Sequence, residues 1–295
     1  MNLIDGNAIS AEIKAEIAAE VAKLIDDGKP APHIATLIVG EDGASMTYVN
    51  SIQKKSKEVG ITVSVYQLPA GVSEKEVLEV IDFVNSDEEI DGFILQLPLP
   101  KHLNQEKVIS RINPDKDIDC FTEINNGKLM LDRNTLLPAT PYGTIELLKR
   151  SGIETEGKKC VIVGRSNIVG KPLALLLLQQ NKQGNATVIV CHSKTENLQS
   201  VCAEADILLV AIGKAEMITE EYVKKGAVVI DIGIHRLDDP DSPKGYRICG
   251  DVKFDEVAPK ASFITPVPGG VGPMTMSCLL LNTMKAYGKC RNVEM

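Results

Sequence analysis

The chain has no apolar run approaching the ~20 residues that a membrane-spanning helix needs; its longest apolar block is Pro172 to Leu178. It has no Cys-x-x-Cys pair among its seven cysteines, and its four histidines form no paired ligand pattern. Neither a disulfide framework nor a metal site is therefore expected, and the cysteines read as the reduced thiols of a cytosolic protein. Positive charge is in deficit: 32 Lys and Arg against 40 Asp and Glu give a formal net charge of −8. That balance argues against nucleic acid or an anionic membrane as the main partner. The first residues, Met1-Asn2-Leu3-Ile4-Asp5, lack a basic segment followed by an apolar core, so no secretory leader is expected and the location predicted is cytoplasmic. Internal repeats and low-complexity tracts are absent.

What is present suits a globular enzyme. The 295 residues are 44% apolar and 24% charged, enough to bury sizeable cores, and the length favours two domains. Ile9, Ile13, Ile17, Val21 and Leu24 recur at helical spacing up to Gly28. A strand at 33–39, a helix at 45–59, a strand at 61–68 and a capping-box helix starting from Ser73 with Glu76 follow. Gly92 to Gln96 reads as a buried strand, Leu97-Pro98-Leu99-Pro100 as the loop at its end, and Asp117-Ile118-Asp119 as a short strand or turn. Pro138-Ala139-Thr140-Pro141 is the expected hinge, followed by a helix at 142–150. Strands at 159–163, 187–191, 207–211, 228–231 and 262–265 then make a second α/β unit, and a helix at 274–287 is expected to cross back to the first. The fold class expected is α/β in two domains, an N-terminal αβα catalytic domain and a Rossmann-type dinucleotide-binding domain, with the active-site cleft between them. The boundaries expected are 1–139, with 274–295 packed back on it, and 140–273.

The stretch from Lys159 to Pro172 organises this reading. A β-branched run breaks at Gly164 and resumes as a helix, with Pro172 tolerated in its first turn. Free N–H groups and the helix dipole at such a turn suit a phosphate. Gly164 and Gly170 stand at the outer positions of a GxGxxG pattern, but Ser166 replaces the middle glycine, so by itself the motif also fits a turn that binds nothing. Gln96, Asp119, this turn, Cys191-His192-Ser193 and the Pro-Gly-rich stretch from Thr265 to Pro273 all fall at predicted strand ends, where doubly wound sheets hold ligands.

These blocks resemble one family. Tyr48-Val49, Gln96-Leu97-Pro98-Leu99-Pro100, Lys116-Asp117-Ile118-Asp119, Thr140-Pro141, Gly164-Arg165-Ser166 with Ile168-Val169-Gly170, and Thr265 through Thr275 are similar, in order, to the methylenetetrahydrofolate dehydrogenase/methenyltetrahydrofolate cyclohydrolases. The resemblance implies hydride transfer from methylenetetrahydrofolate to a nicotinamide, a step that needs positioning and a dry site. It also implies that Tyr48 stacks on the folate's benzoate ring, that Asp119 holds the pterin, that Gln96 serves the hydrolytic step, and that Pro268, Gly269, Gly270 and Val271 line the folate pocket. For the cofactor it implies Gly164, Arg165, Ser166, Ile168, Ser193, Ile234 and Thr275. The partners expected are tetrahydrofolate derivatives and, as a homodimer, a second copy of the chain.

One departure bears on function. The family places a lysine four residues after the tyrosine, where it serves the attack of water on the methenyl cation; here the position is Ile52. Ile52 lies about 40° from Tyr48 round a helix, on the same face. Lys54 lies about 240° round. Lys55 lies about 20° off but ~10 Å along the axis, a weak substitute. Since acid–base help is worth ~10²–10⁴-fold, the cyclohydrolase step is expected to be impaired or absent. Two alternatives stand beside this: both activities kept with a group such as Lys55 substituting, or a non-catalytic folate- or nucleotide-binding protein. Cys120, where the family commonly has glycine, and Ala139, where it often has cysteine, are smaller departures.

For the cofactor, the strand at 187–191 ends in His192-Ser193-Lys194 without the acid that would bind a ribose 2′-hydroxyl. Arg165 suits a 2′-phosphate. NADP is expected, with NAD left open. A shikimate- or glutamate-type dehydrogenase of the same two-domain plan is a rival that the folate-type blocks argue against.

Overall fold

Short β-branched runs become strands here because both faces of each are covered, and the amphipathic stretches between them supply the cover. The computed structural model describes residues 1–41 and 43–293. In chain order the elements are β1 (Asn2–Leu3), α1 (Gly6–Asp26), β2 (His33–Val39), α2 (Gly43–Glu58), β3 (Thr62–Leu68), α3 (Glu74–Ser86), β4 (Gly92–Leu95), α4 (Gln105–Ser110) and α5 (Glu123–Met130). They continue with α6 (Ala139–Arg150), β5 (Lys159–Val163), α7 (Gly170–Leu178), β6 (Thr187–Cys191), α8 (Leu198–Cys202), β7 (Ile207–Val210) and β8 (Val228–Asp231). The last are β9 (His235–Asp238), β10 (Tyr246–Cys249), α9 (Phe254–Val257), β11 (Phe263–Ile264) and α10 (Val271–Arg291). The chain divides into two compact units, one of Glu12–Ala139 with Met276–Met295, the other of Met1–Ala11 with Thr140–Thr275.

The first unit holds a parallel sheet in the order β3-β2-β4. Its central strand is buried along nearly its whole length, as its mostly apolar sequence, interrupted by Thr36, would suggest. Val77, Ile81 and Val84 of α3 recur at helical spacing and pack with Leu37, Phe93 and Leu95 in one core. The anticipated capping box is present: the Ser73 hydroxyl accepts the Glu76 N–H while the Glu76 carboxylate accepts the Ser73 N–H.

The second unit holds a six-stranded parallel sheet, β1-β11-β8-β7-β5-β6. Strand order reverses at β5, which has β6 on one side and β7 on the other. In such sheets the crevice beyond that reversal is where nucleotides bind.

Several expectations need correction. Residues 1–11, placed by the sequence in the first domain, pack with the second unit because β1 pairs with β11. The expected hinge holds the change of unit, between Ala139 and Thr140, but its residues are largely the first turn of α6, which begins at Ala139; Pro141 fits there because the N–H of a first-turn residue has no intrahelical acceptor to lose. For the same reason α10 starts at Val271, ahead of Pro273, and it runs on to Arg291. Of the two forms expected for 117–119, strand or turn, the structure has the turn, with only an isolated parallel bridge from Asp117 to Phe93. The β9–β10 hairpin was not anticipated: its alternation of half-buried and exposed residues is carried by mixed side chains such as His235, Arg236, Tyr246 and Arg247.

Candidate active site

In the first unit, the candidate residues arise from α2 and from the ends of β4 and the 116–122 turn. Along α2, Ser45, Val49, Ile52 and Ser56 recur every three or four residues and are buried. Tyr48 lies beside this stripe, half-buried. Burial, and then the charge of Asp119, hold its phenol well above the usual tyrosine range, so it stays protonated. Tyr48 and Asp119 are thus electrostatic neighbours. Asp119 is half-buried, and burial together with the nearby Asp117 charge pushes its carboxyl up from 3.8 to about 7. Gln96 follows β4; its backbone N–H reaches Leu37 and its amide donates to the Leu97 carbonyl at 2.9 Å and to the Ser45 hydroxyl at 3.5 Å.

The Lys116-Asp117-Ile118-Asp119 block divides its labour. The Lys116 amine is buried and donates to the carbonyls of Val84 (2.8 Å) and Asp87 (2.6 Å), capping the end of α3 with a cation. Asp117 accepts the N–H groups of Phe121 and Thr122 and the amide of Asn125, fixing the turn. These two build the scaffold and Asp119 is presented by it. Cys120, next to it, sits at φ +59 with its side chain buried, so the turn takes a left-handed backbone that glycine would adopt with less strain.

Ile52 is fully buried. The Lys55 amine bonds both Glu58 carboxylate oxygens, at 3.2 and 3.1 Å, on the exposed part of α2. Lys54 is exposed.

In the second unit, the turn after β5 needs both its glycines. A Cβ on Gly164, at φ +129, would lie 2.1 Å from the Ala211 carbonyl oxygen, and one on Gly170 would lie 2.3 Å from that of Gly164. The Ser166 hydroxyl accepts the N–H groups of Val169 (3.2 Å) and Gly170 (3.3 Å), so it caps α7 where the pattern would have glycine. Arg165, Ser166, Ile168 and Ser193 are exposed at the carboxyl ends of β5 and β6. The His192 ring accepts the Lys194 N–H at 3.1 Å and so shapes the turn that carries Ser193. Ile234 is 67% exposed beyond β8. The loop of Pro268, Gly269, Gly270 and Val271 is pinned: Gly269 sits at φ +105, and a Cβ on Gly6 would lie 1.8 Å from the Gly270 oxygen. Thr275 bonds Thr140, hydroxyl to hydroxyl, at 3.0 Å.

The sequence reading missed three residues in this unit: Asp231, His235 and Asp251, which form one network with both carboxylates buried and His235 half-buried. The available signal was an aspartate at each of two strand ends, Asp231 closing β8 and Asp251 just beyond β10, with Gly233 and Gly250 beside them.

A six-stranded parallel sheet with a glycine turn at its order reversal is the architecture of nucleotide-binding α/β proteins, and the other unit carries a tyrosine, an amide and a raised carboxyl. Models of two domains match: residues 4–119 the tetrahydrofolate dehydrogenase/cyclohydrolase catalytic domain, and residues 138–291 the NAD(P)-binding domain of the same enzymes. The chain belongs to the tetrahydrofolate dehydrogenase/cyclohydrolase family. It is 50% identical over 286 residues, 97% of this chain and 99% of the other, to the bifunctional protein FolD of Cytophaga hutchinsonii. Among solved structures it is similar to the bifunctional methylenetetrahydrofolate dehydrogenase/cyclohydrolase FolD of Campylobacter jejuni, with a TM-score of 0.91, 43% identity and 99% of each chain covered. The Trypanosoma brucei enzyme, solved with NADP and an inhibitor, follows with a TM-score of 0.89 and 37% identity over 97% of each chain.

Proposed function

We propose that this protein oxidises methylenetetrahydrofolate to methenyltetrahydrofolate by hydride transfer to NADP, and that its cyclohydrolase step is strongly impaired. The observation that carries the second half is Ile52, a fully buried aliphatic side chain one helical turn from Tyr48, with Lys55 engaged by Glu58. Hydride transfer needs a folate held against a nicotinamide and no proton carrier at position 52. Hydrolysis of the methenyl cation needs water to lose a proton, and an isoleucine offers no acceptor.

In this reading Tyr48 and Asp119, with Pro268, Gly269, Gly270 and Val271, bind the folate, and Gln96 stands where the hydrolytic step would take place. Gly164, Arg165, Ser166, Ile168, Ser193, Ile234 and Thr275 serve the cofactor. The expected division, a folate-binding 1–139 completed by 274–295 and a nicotinamide-binding 140–273, goes with this reading, except that residues 1–11 pack with the second unit. NADP is preferred over NAD because Arg165 and Ser193 are exposed at the ends of β5 and β6, and no acid stands at the end of β6. We take the protein to be cytoplasmic. A homodimer fits the free edge of the larger sheet, where β6 leaves Val190 38% exposed.

A second reading keeps both activities, and the names of the relatives, which call them bifunctional, favour it. The paired assay separates the two. Purified protein is expected to reduce NADP faster than NAD with methylenetetrahydrofolate, and to hydrolyse methenyltetrahydrofolate at little above the uncatalysed rate. A hydrolysis rate matching the dehydrogenase rate decides for the second reading. Binding without any turnover would make the protein a non-catalytic folate binder.

A further inference from the structure

The carboxyl ends of β7 and β8 carry a carboxylate network that the reaction itself does not use. Asp251 is fully buried. Its Oδ2 accepts the backbone N–H groups of Ile212 (2.7 Å) and Gly213 (3.1 Å), and its Oδ1 accepts that of Lys214 (2.8 Å). The His235 ring meets the same Oδ1 through Nε2 at 2.7 Å. Asp231, the last residue of β8, holds Asp251 in turn: its Oδ1 accepts the N–H groups of Asp251 and Gly233, both at 3.0 Å, and its Oδ2 that of Val252 at 2.9 Å. The space round both carboxylates is closed. A Cβ on Gly233 would lie 2.4 Å from the Asp251 carboxyl carbon, and one on Gly250 would lie 1.9 Å from Asp231 Oδ2.

Two segments that are far apart in sequence, 212–214 and 233–235, are thereby tied to one carboxylate. Their position gives the tie its meaning. The preceding residue, Ala211, has its carbonyl against Gly164 of the phosphate turn. If the pyrophosphate sits at that turn and the adenosine half over β6, the other half of a dinucleotide must extend over β7 and β8, which lie on the opposite side of β5. There the network holds Gly213 at φ +70 and leaves Ile234 standing out to solvent.

We infer that Asp251 is a positioning residue for the nicotinamide half of the cofactor, acting through the backbone of Ile212–Lys214 and through His235. This rests on the reading of the second unit as the NADP site. Asp251 touches no reacting atom; it sets where the strand ends stand, and small misplacements of such surfaces are costly in rate and affinity.

Direct NADP titration of the purified protein by calorimetry, together with KM for each substrate, tests it. Asp251→Asn turns an acceptor oxygen into a donor against N–H groups. It is expected to raise the NADP Kd by about tenfold or more and to raise KM for NADP, with KM for methylenetetrahydrofolate changed less than about twofold. His235→Leu is expected to weaken NADP binding in the same sense, and His235→Gln, which keeps a donor, to restore most of it. Should Asp251→Asn fail to fold, the His235 pair decides. Wild-type protein that binds NADP alongside His235→Leu binding it equally well overturns the inference alone. Equal rises in both KM values overturn it too, since they mean a general loss of structure. Wild-type protein that binds no nicotinamide nucleotide overturns the functional reading itself, and the inference with it.

Discussion

An isoleucine at position 52 differs from a lysine in two ways that pull in opposite directions. It removes the proton acceptor, and it fills a fully buried site with apolar volume. Ile52→Lys is therefore expected to raise methenyltetrahydrofolate hydrolysis by about 10²-fold. It should also cost about 1–3 kcal/mol of stability, because the amine must be desolvated or threaded out to a polar edge. Rate assays and urea denaturation read the two effects separately, and an unchanged hydrolysis rate in a folded variant would count against the proposed role. Asp119 supplies a second test. Its carboxyl is raised from 3.8 to about 7, so between those values the folded state holds a proton that the unfolded chain has released. Stability contributed by this group is full below about pH 4 and is lost as pH rises through about 7. Asp231, raised to about 6, acts with the same sign but finishes earlier. Asp119→Asn should accordingly flatten the fall in stability between about pH 6 and 7 and halve the fall that the two carboxyls cause between about pH 4 and 6, leaving the part due to Asp231. A slope across pH 6 to 7 as steep as that of the wild type would place the proton elsewhere.

Elements were legible where one local signal and the tertiary context agreed. The capping box at Ser73 and the stripe Val77, Ile81, Val84 specify α3 twice over, and the helix runs Glu74–Ser86. Ser73→Ala removes an acceptor for the Glu76 N–H and should cost about 1 kcal/mol, read as a lower urea midpoint with an unchanged slope. The strand ends that present Gln96 and Arg165 were legible for the same reason, since buried parallel strands announce themselves as apolar runs. Other elements were not. β1 is two residues long and exists only because β11 lies beside it, a pairing across some 260 residues that no local window contains. The β9–β10 hairpin hides in mixed polarity, and with it went His235 and Asp251, whose role depends on backbone N–H groups brought from 37 to 39 positions away. The prolines at 141 and 273 misled in the other direction: they read as breaks and are first-turn residues of α6 and α10. Tyr48, Ile52 and Lys55 all lie in α2, as the sequence reading placed them in a helix, but that Lys55 is held by Glu58 is a side-chain fact outside the reach of helix geometry.

Taken whole, each unit is assembled from two stretches far apart in sequence, so its closure depends on a few contacts of very long sequence separation. The residues from Met276 onward show this for the first unit. Asn282 donates its amide to the carbonyls of Ile118 (2.8 Å) and Leu137 (2.6 Å), and the Tyr287 hydroxyl donates to that of Pro30 at 3.0 Å. Arg291 completes the attachment. Its Nε meets Asp91 Oδ1 at 2.8 Å, and its guanidinium lies 5.1 Å from the centre of the Tyr287 ring. Asp91 is fully buried just ahead of β4 and also accepts the His33 N–H at 2.9 Å. Burial raises its carboxyl despite the pairing, so desolvation outweighs the attraction of the arginine and the pair is no large source of net stability. Breaking it is another matter. Arg291→Ala leaves an uncompensated buried charge and should cost toward the lower end of about 3–5 kcal/mol, since Arg291 itself keeps some contact with solvent. Adding Asp91→Asn to Arg291→Ala removes the orphaned charge and should recover part of that loss, which chemical denaturation of the two variants side by side would measure. If the double variant is no more stable than the single one, the cost lies in lost packing against Tyr287, and the end of α10 is held by its ring contact rather than by charge.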